Sequence, residues 1–309
     1  MEGHAPRIAV LVPCHNEALT VAEVVNGFRA ALPAATIFVY DNNSSDGTAE
    51  VARSAGAQVR FESQPGKGSV VRRMFADIDA DWYVMVDGDA TYDPTAAPRL
   101  IATAASGGYD MVNVAREESG EKAYRRGHRL GNRLLTGLVG TIFGSRTQDM
   151  LSGYKVFSRR FVKTFPAMSS GFEIETELMI HALELRLPVG EISAPYGERP
   201  EGSTSKLSTY RDGFIILRLI GVLVQRERPL EFFSATAGVL VLLSLGLGLP
   251  VIWTFLETGL VPRLPTALLA SALMLAALVS LAVGLILQAV TLSRREMKRL
   301  VYLGFRAGA

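Results

Sequence analysis

The chain has 309 residues, of which 49% are hydrophobic and 20% are charged. Its 32 basic and 30 acidic residues leave a net charge of +2, which argues against a nucleic-acid-binding protein because such proteins concentrate basic charge on one face. A single cysteine, Cys14, excludes an internal disulfide and a cysteine-rich zinc site.

Short apolar runs alternate with helical patterns through the first part of the chain. The strand-like runs are 8–12, 37–40, 59–61, 83–86 and 111–114. The helical patterns are 19–32, 48–55, 68–78 and 95–105. This alternation predicts an α/β domain with a mostly parallel sheet that helices cover on both faces. Ligands bind beyond the carboxyl ends of the strands in such sheets, and polar clusters follow the first, second and fourth runs.

The polar segment after the second strand runs from Asp41 to Thr48. Asp41 lies directly at the strand end and is a candidate acceptor for hydrogen bonds from a ribose or a base. Asp46 is explained by capping of the following helix. Further on, Gln64 to Gly68 forms a glycine-rich turn with one cation, Lys67, which suits either a phosphate contact or a plain turn.

Two carboxylates follow the fourth strand, in Asp87-Gly88-Asp89. Carboxylates two residues apart at a strand end can share a divalent cation, and hard oxygen ligands suit Mg²⁺ or Mn²⁺. Such a metal would neutralise a diphosphate leaving group. Turn formation by aspartate is the structural alternative.

Two uncharged apolar stretches, 232–256 and 264–292, are each long enough to cross a bilayer as a helix. A short turn separates them, so they predict a transmembrane hairpin; a buried hairpin of a soluble protein is the alternative. The preceding region, 207–231, is interpreted as an amphipathic segment that lies in the membrane interface, with a globular helix as the alternative.

Basic residues flank the two predicted spans on one side. They are Arg226, Arg228, Arg294, Arg295, Lys298 and Arg299, whereas the intervening turn has only Arg263. The positive-inside rule therefore predicts that both termini face the cytosol from an inner or plasma membrane. The expected domains are a catalytic part over 1–206, the interfacial region, the hairpin over 232–292 and a basic tail over 293–309.

Several motifs, taken in order, resemble a known family. Val12 to Glu17, Asp41 to Thr48, Gly66 to Gly68 and Asp87 to Asp89 resemble the GT-A domain of family-two inverting glycosyltransferases. Asp149 to Phe157, and Arg199 followed by Gly202 to Leu207, resemble motifs of the dolichol- and polyprenyl-phosphate branch. The resemblance covers about residues 7–230. It implies a GT-A fold, Rossmann-like with a mostly parallel sheet, followed by a two-helix membrane hairpin.

The resemblance also implies roles for individual residues. The nucleotide-sugar would contact Pro13, Asn16, Glu17, Asp41, Lys67, Asp87, Asp89, Arg199 and Lys206. Mg²⁺ or Mn²⁺ would be held by Asp87 and Asp89, and the lipid phosphate would be received by Arg116 with Arg129 or Arg133. Asp149 and Asp89 are the expected catalytic residues, with Asp149 at the place of the candidate base. A lipid phosphate is already anionic near neutral pH, so orientation by Asp149 is favoured over proton abstraction.

Two positions depart from the family pattern. Thr91 stands where the family often has glutamine, which bears on metal coordination, and Cys14 and His15 stand where many relatives have an aromatic residue. Cys14 is interpreted as a packed thiol. Among Glu173, Glu175 and Glu177, a helix start explains at least two, which leaves one for a sugar contact.

The leading hypothesis is an enzyme that transfers one sugar, with inversion, from a nucleotide-sugar to a polyprenyl phosphate at the cytosolic leaflet. The family branch favours a UDP-sugar over a GDP-sugar and allows a homo-tetramer. One alternative is a glycosyltransferase with a non-lipid acceptor. Others are a processive synthase, against which the missing Q-x-x-R-W motif argues, and an inactive membrane scaffold with a GT-A fold.

Overall fold

The computed structural model describes residues 5–118, 136–137, 140, 147–171, 173–197, 221–222 and 224–305. The chain divides into two compact units. The first contains Met1–Gly213 together with Lys298–Ala309, and the second is Phe214–Met297.

The first unit is built on a seven-stranded sheet. Its strands are β1 (Ile8–Cys14), β2 (Thr36–Asp41), β3 (Gln58–Phe61), β4 (Trp82–Met85), β5 (Met111–Glu118), β6 (Lys155–Ser158) and β7 (Val189–Tyr196). Their order in the sheet is β3-β2-β1-β4-β6-β5-β7. All neighbours pair in parallel except β6, which runs antiparallel to both β4 and β5. The predicted, mostly parallel sheet is confirmed.

Six α-helices lie between the strands in the described part of the first unit. They are α1 (Val21–Ala31), α2 (Thr48–Ser54), α3 (Lys67–Asp77), α4 (Ala97–Gly107), α5 (Arg159–Thr164) and α6 (Ile174–Glu184). The five predicted strands and four predicted helices correspond to β1–β5 and α1–α4. The pattern did not predict β6, β7, α5 or α6. Between Lys155 and Ser158, β6 has only two apolar residues, which is too short a run to identify as a strand.

The central strands are apolar on both faces because helices cover the sheet on both sides. Positions 9 to 12 of β1 and all four residues of β4 are buried, which matches the continuous apolar runs typical of parallel strands. Val21, Val25 and Phe28 of α1 are fully buried in the same core. This packing fixes the strand ends, and hence the loops beyond them.

The second unit contains two long helices, α7 (Pro229–Thr258) and α8 (Leu264–Gly304). Both are long and apolar enough to cross a membrane, with mean hydropathies of 2.3 and 2.5 in their most apolar windows. Only 11% and 17% of those windows is buried, unlike a core helix of a soluble protein. Two hydrogen bonds join the helices, from Ser244 Oγ to the Ala270 carbonyl (2.7 Å) and from Ser280 Oγ to the Phe233 carbonyl (3.0 Å).

The predicted spans 232–256 and 264–292 fall within α7 and α8. The helix α8 continues past the second predicted span, and its last turns, from Lys298, belong to the first unit. Most of the predicted interfacial region lies outside the described residues, namely 207–220 and 223. Its amphipathic character stays a prediction.

Candidate active site

The loops that follow β1 and β2 are hydrogen-bonded to each other. The Asn16 amide N–H donates to Ser44 Oγ (2.9 Å), and Asn16 Oδ1 accepts from the Ser45 N–H (2.8 Å). The Glu17 N–H donates to Thr48 Oγ1 at 2.9 Å. Because β1 and β2 are parallel neighbours, both loops leave the sheet at the same edge. The predicted residues Asn16 and Glu17 therefore lie at the carboxyl edge of the sheet, beside the loop that begins at Asp41.

Asp41 is the last residue of β2 and is 6% exposed. Its Oδ2 accepts from the Ser44 N–H at 3.3 Å, whereas its Oδ1 is buried without a hydrogen-bond partner in the described part of the chain. A buried carboxylate oxygen without a donor is costly, so an incoming N–H or O–H group would stabilise it. Asp41 is therefore suited to the base or ribose contact predicted for it.

Asn42 joins three segments at this edge. Its N–H donates to the Cys14 carbonyl, its Nδ2 donates to the carbonyls of Glu62 and Gln64, and its Oδ1 accepts from the Gly66 N–H, each at 2.8 Å. All the hydrogen-bonding groups of this side chain are used within the protein. Asn42 therefore positions the loop that leads to Lys67.

Lys67, the first residue of α3, is a cation held between two carboxylates. Its Nζ contacts Asp87 Oδ1 and Glu175 Oε1, and its side chain is 10% exposed. Burial alone would lower the pKa of Lys67, but the two carboxylates raise it above its usual value. Burial raises the pKa of Glu175, and Lys67 opposes that shift. The arrangement joins the glycine-rich turn, the D-x-D segment and helix α6 in one charged cluster.

The turn before Lys67 requires glycine at Gly66. Its φ is +109°, a conformation that other residues rarely adopt, and a Cβ there would lie 2.2 Å from the Ser170 carbonyl oxygen. The turn is thus pressed against the segment that leads into α6. This contact brings Glu175 close to Lys67, although the two residues are far apart in the sequence.

Asp87 and Asp89 differ in accessibility. The Asp87 side chain is 30% exposed, whereas Asp89 is 3% exposed. Asp89 Oδ1 accepts from Thr91 Oγ1 at 2.6 Å, so the threonine that replaces the family's glutamine holds this carboxylate. Opposite Asp87, Gly153 leaves room for the carboxylate, since a Cβ there would lie 2.2 Å from Asp87 Oδ2.

These two carboxylates fit a divalent metal that is completed by a substrate. Among the described residues, no group of three or more His, Cys, Asp or Glu side chains surrounds a common point. Mg²⁺ is commonly bound through one or two carboxylates together with substrate phosphates, so two hard oxygen donors suffice. Asp87 is the more accessible of the two.

Arg116 and Asp149 form a bidentate ion pair. Arg116 Nε donates to Asp149 Oδ2 at 2.5 Å, and Nη2 donates to Oδ1 at 2.9 Å. Both side chains are close to 90% buried. From the sequence, Arg116 is expected to receive the lipid phosphate and Asp149 to stand at the place of the candidate base. The structure brings them into direct contact.

Tyr196 packs against Arg116 of this ion pair and continues into a cluster with Tyr92 and Tyr154. The Arg116 guanidinium lies 5.3 Å from the centre of the Tyr196 ring, a distance typical of a cation–π contact. Tyr92 packs edge-on against both Tyr196 and Tyr154, with ring centres 5.1 Å and 5.5 Å apart. The Tyr92 hydroxyl accepts from the Gly153 N–H at 2.7 Å. Tyr92 therefore connects the Arg116 region to the loop that faces Asp87.

Some predicted site residues lie outside the described part of the chain. They are Arg129, Arg133, Arg199 and Lys206. Pro13, in contrast, is half-buried in β1, where it pairs with Tyr40. The roles given to all five stay predictions.

Sequence reasoning did not single out Asn42 or Tyr92, and it left the three glutamates undecided. Glu173 immediately precedes α6, and Glu177 accepts from the N–H groups of Met168 and Ser169, whereas Glu175 is buried beside Lys67. The position of Tyr92, three residues after Asp89, is the only available sequence signal for it. Nothing local to Asn42 distinguishes it from Asn43.

Comparisons with known proteins identify the family to which this chain is related. The family described as "Glycosyl transferase family 2" matches residues 9–165. Glycosyltransferase AglJ of Haloferax volcanii is 33% identical over 245 residues, which cover 79% of this chain and 80% of the relative. The dolichyl-phosphate hexose transferase of the same organism is 25% identical over 221 residues, which cover 72% of this chain and 95% of the relative.

The fold is also similar to a solved enzyme structure. Glucosyl-3-phosphoglycerate synthase of Mycobacterium tuberculosis, in complex with Mn²⁺, UDP-glucose and glycerol 3-phosphate, matches with a TM-score of 0.59. The match covers 72% of this chain and 80% of the other, at 23% identity. At that identity the similarity concerns the fold alone, and it confirms the GT-A architecture that the motifs predicted.

Proposed function

Since this chain belongs to glycosyl transferase family 2, we propose that it transfers a single sugar from a UDP-sugar to a polyprenyl phosphate, with inversion. The observation that carries this proposal is that one loop joins two separate charged clusters. The Lys67–Asp87 cluster suits a nucleoside diphosphate, and the Arg116–Asp149 pair suits a second phosphate. The segment from Asp149 to Gly153 reaches from one to the other.

The donor half of the site rests on Asp41, Lys67 and Asp87. The unsatisfied Asp41 Oδ1 provides an acceptor for the base or the ribose. Lys67 offers positive charge for the diphosphate at the start of a helix. The mycobacterial synthase, which shares this fold, is described in complex with UDP-glucose, and this favours a UDP-sugar.

A divalent cation fits the donor half. Asp87 and Asp89 would hold Mg²⁺ or Mn²⁺, and the metal would neutralise charge that develops on the leaving diphosphate. The chain's own residues bind and orient the donor around it: Thr91 holds Asp89, and Gly153 leaves space beside Asp87.

The acceptor half rests on Arg116. A guanidinium matches phosphate geometry in a bidentate manner, and the Tyr196 ring supports it from one face. A phosphate monoester, whose second pKa is about 6, is already a nucleophile near neutral pH. Asp149 is therefore assigned the task of orienting Arg116, and direct in-line attack by the lipid phosphate gives inversion. The dolichyl-phosphate hexose transferase among the relatives supports a lipid acceptor.

The membrane location of the proposed acceptor agrees with α7 and α8. A hairpin of two spans keeps both flanking segments on one side, and the basic residues around it favour the cytosolic side. Among these, Arg294 and Arg295 both pair with Glu227, close to the start of α7. The catalytic unit would then act at the cytosolic leaflet of an inner or plasma membrane.

An assay with defined substrates tests the proposal. Purified protein in detergent with Mn²⁺ is given a short polyprenyl phosphate and a panel of UDP- and GDP-sugars, and lipid products are read by mass spectrometry. A monoglycosylated lipid phosphate from a UDP-sugar is expected, and Asp87→Asn should reduce its formation at least a hundredfold. Release of UDP without glycolipid would contradict the lipid acceptor, and product from a GDP-sugar alone would contradict the donor.

A further inference from the structure

Lys155 is a buried cation beneath the Asp149 loop, and it has no part in the proposed function. It begins β6, opposite Asn113 of β5, and is 0% exposed. Its Nζ donates to Asn113 Oδ1 at 2.5 Å and to the Met150 carbonyl at 3.3 Å. Both acceptors are neutral. Burying an ammonium group in such surroundings is costly, and a methionine of similar shape would avoid that cost.

Asn113 extends the contact to the neighbouring residue. Its Nδ2 donates to the Asp149 carbonyl at 2.8 Å, while its Oδ1 accepts from Lys155. The carbonyls of Asp149 and Met150 are thus both held from the sheet by the Lys155–Asn113 pair. The carboxylate of the same Asp149 is held by Arg116. One residue is therefore fixed through its main chain on one side and through its side chain on the other.

The charge of Lys155 also acts on the carboxylates around it. Burial lowers the pKa of Lys155 to about 8, and Asp149, Glu175 and Glu191 oppose that shift whereas Arg116 adds to it. Glu191 in turn accepts from the Gln148 N–H with both oxygens, at 3.0 Å each. Lys155 thus lies among the acidic groups that support the start of the loop.

We propose that Lys155 is a positioning residue for the glycosyl acceptor. Together with Asn113, it holds the backbone at Asp149 and Met150 so that Asp149 keeps Arg116 in the orientation that receives the acceptor phosphate. The identity of that acceptor rests on the proposed function. The two hydrogen bonds of Lys155 lead to the acceptor side, so its loss should change acceptor use and leave UDP binding intact.

The test compares Lys155→Met with Lys163→Met in the full-length protein. Lys163 is a matched control because its Nζ also donates to main-chain carbonyls, those of Phe75 and Ile78, but from α5. For Lys155→Met we expect a kcat/KM for the acceptor that falls at least tenfold, with the loss mainly in KM. UDP affinity, measured by calorimetry, should stay within twofold. Lys163→Met should keep both values.

A second variant covers the case in which Lys155→Met folds poorly. In Asn113→Leu/Lys155→Met the Asn113 oxygen left unsatisfied by the single change is also removed, so thermal stability should recover in part. Acceptor KM should stay raised, because the Met150 carbonyl regains no donor and the Asp149 carbonyl also loses Asn113 Nδ2. Recovery of acceptor KM together with stability would assign Lys155 a purely structural role and overturn the proposal.

Hydrogen exchange separates this proposal from the proposed function. In Lys155→Met, amides of the segment 148–154 should lose protection at least tenfold, while those of α1 keep theirs. If the wild-type protein does not glycosylate polyprenyl phosphate, the proposed acceptor is wrong, but this readout still tests the positioning. Unchanged protection of that segment would overturn the positioning of Lys155 whatever the acceptor.

Discussion

Lys67 illustrates how one residue combines a local and a tertiary role. It starts α3 after a glycine turn, and its ammonium group is enclosed by Asp87 and Glu175. Two carboxylates this close would repel each other without the cation, so Lys67 holds the cluster together in the absence of substrate. Under the proposed function, the same cation would face a diphosphate that enters beside Asp87.

Removal of Lys67 should therefore destabilise the fold. Loss of one partner from a buried ion pair costs about 3 to 5 kcal/mol, because the remaining charge is left uncompensated. We expect Lys67→Met to lower the free energy of unfolding by about that amount, measured by denaturant unfolding in detergent. Addition of Glu175→Leu should restore part of it. Arg53→Met, which breaks an exposed pair with Glu50, should lower the free energy of unfolding by less than about 1 kcal/mol. Equal losses in Lys67→Met and Arg53→Met would contradict this expectation.

His181 gives a prediction about pH. It packs edge-on against Phe161 and Phe165 and is 2% exposed, as expected for a packed helix residue, and burial lowers its pKa to about 3. The unfolded chain takes up a proton near pH 6.5, whereas the folded protein does not until about pH 3. Stability from this residue is therefore fully present above pH 6.5 and falls as the pH drops below it, by up to about 1.4 kcal/mol per pH unit.

The variant His181→Phe removes this titration while it keeps an aromatic side chain in the cluster. Between pH 7 and pH 5 the urea midpoint of the wild-type protein should fall more than that of the variant. The difference between the two proteins isolates His181 from the carboxylates, which titrate in both. Parallel curves would mean that His181 is not held neutral by the fold.

At the scale of elements, the interactions that hold the sheet together differ from those that join α7 to α8. The strands β1 and β4 are buried between helices, so apolar packing decides their place. The helices α7 and α8 expose apolar side chains along most of their length, and lipid would be as apolar as their contact. Their association therefore depends on close contacts and on hydrogen bonds such as Ser244 Oγ to the Ala270 carbonyl.

Ser244→Ala should weaken the pairing of α7 with α8. Hydrogen bonds between helices in a membrane contribute about 0.6 kcal/mol on average and about 1.7 at most, so a loss in that range is expected from thermal unfolding in detergent. Ser271→Ala is the control, because Ser271 Oγ bonds the Ala267 carbonyl of its own helix at 3.0 Å. An equal loss in both variants would attribute the effect to the helix rather than to the pairing.

At the scale of the whole molecule, the end of the second long helix belongs to the first unit. From Lys298 onward α8 belongs to that unit, where Tyr302 Oη donates to Asp110 Oδ2 at 2.7 Å. Asp110 is fully buried and also accepts from Ser158 Oγ and from Arg160. The part of the chain expected to be a basic tail thus begins with an ordered segment that completes a buried polar network.

Tyr302→Phe tests the contribution of this returning segment. A hydrogen bond to a charged group contributes about 1.5 to 3 kcal/mol, so we expect a loss of that size in the full chain. The ring, which lies between Arg160 and Arg299, is retained in the variant. Leu303→Ala, at a position that is 63% exposed, should change stability by no more than about 0.5 kcal/mol. Equal stability of Tyr302→Phe and the wild type would mean that Asp110 does not need the returning segment.

The amino-acid sequence alone determined the alternation of β1–β5 with α1–α4, the two apolar helices and the polar loops at the strand ends. These features follow from periodicity and from local turn chemistry, which act over a few residues. It also indicated Asp41, Asp87 and Asp89, because they follow strands, and Lys67, because it lies in a glycine-rich turn.

Only the tertiary structure decided which charges meet. Arg116 pairs with Asp149, Lys67 pairs with Glu175, and Lys155 bonds Asn113, in each case through contacts between segments remote in sequence. The antiparallel insertion of β6 between β4 and β5 creates the contacts of Arg116 and Lys155, whereas the turn at Gly66 brings Lys67 close to Glu175. A four-residue strand carries no periodicity that would reveal its partners. Charge pairing depends on distances in space, which local propensities do not encode.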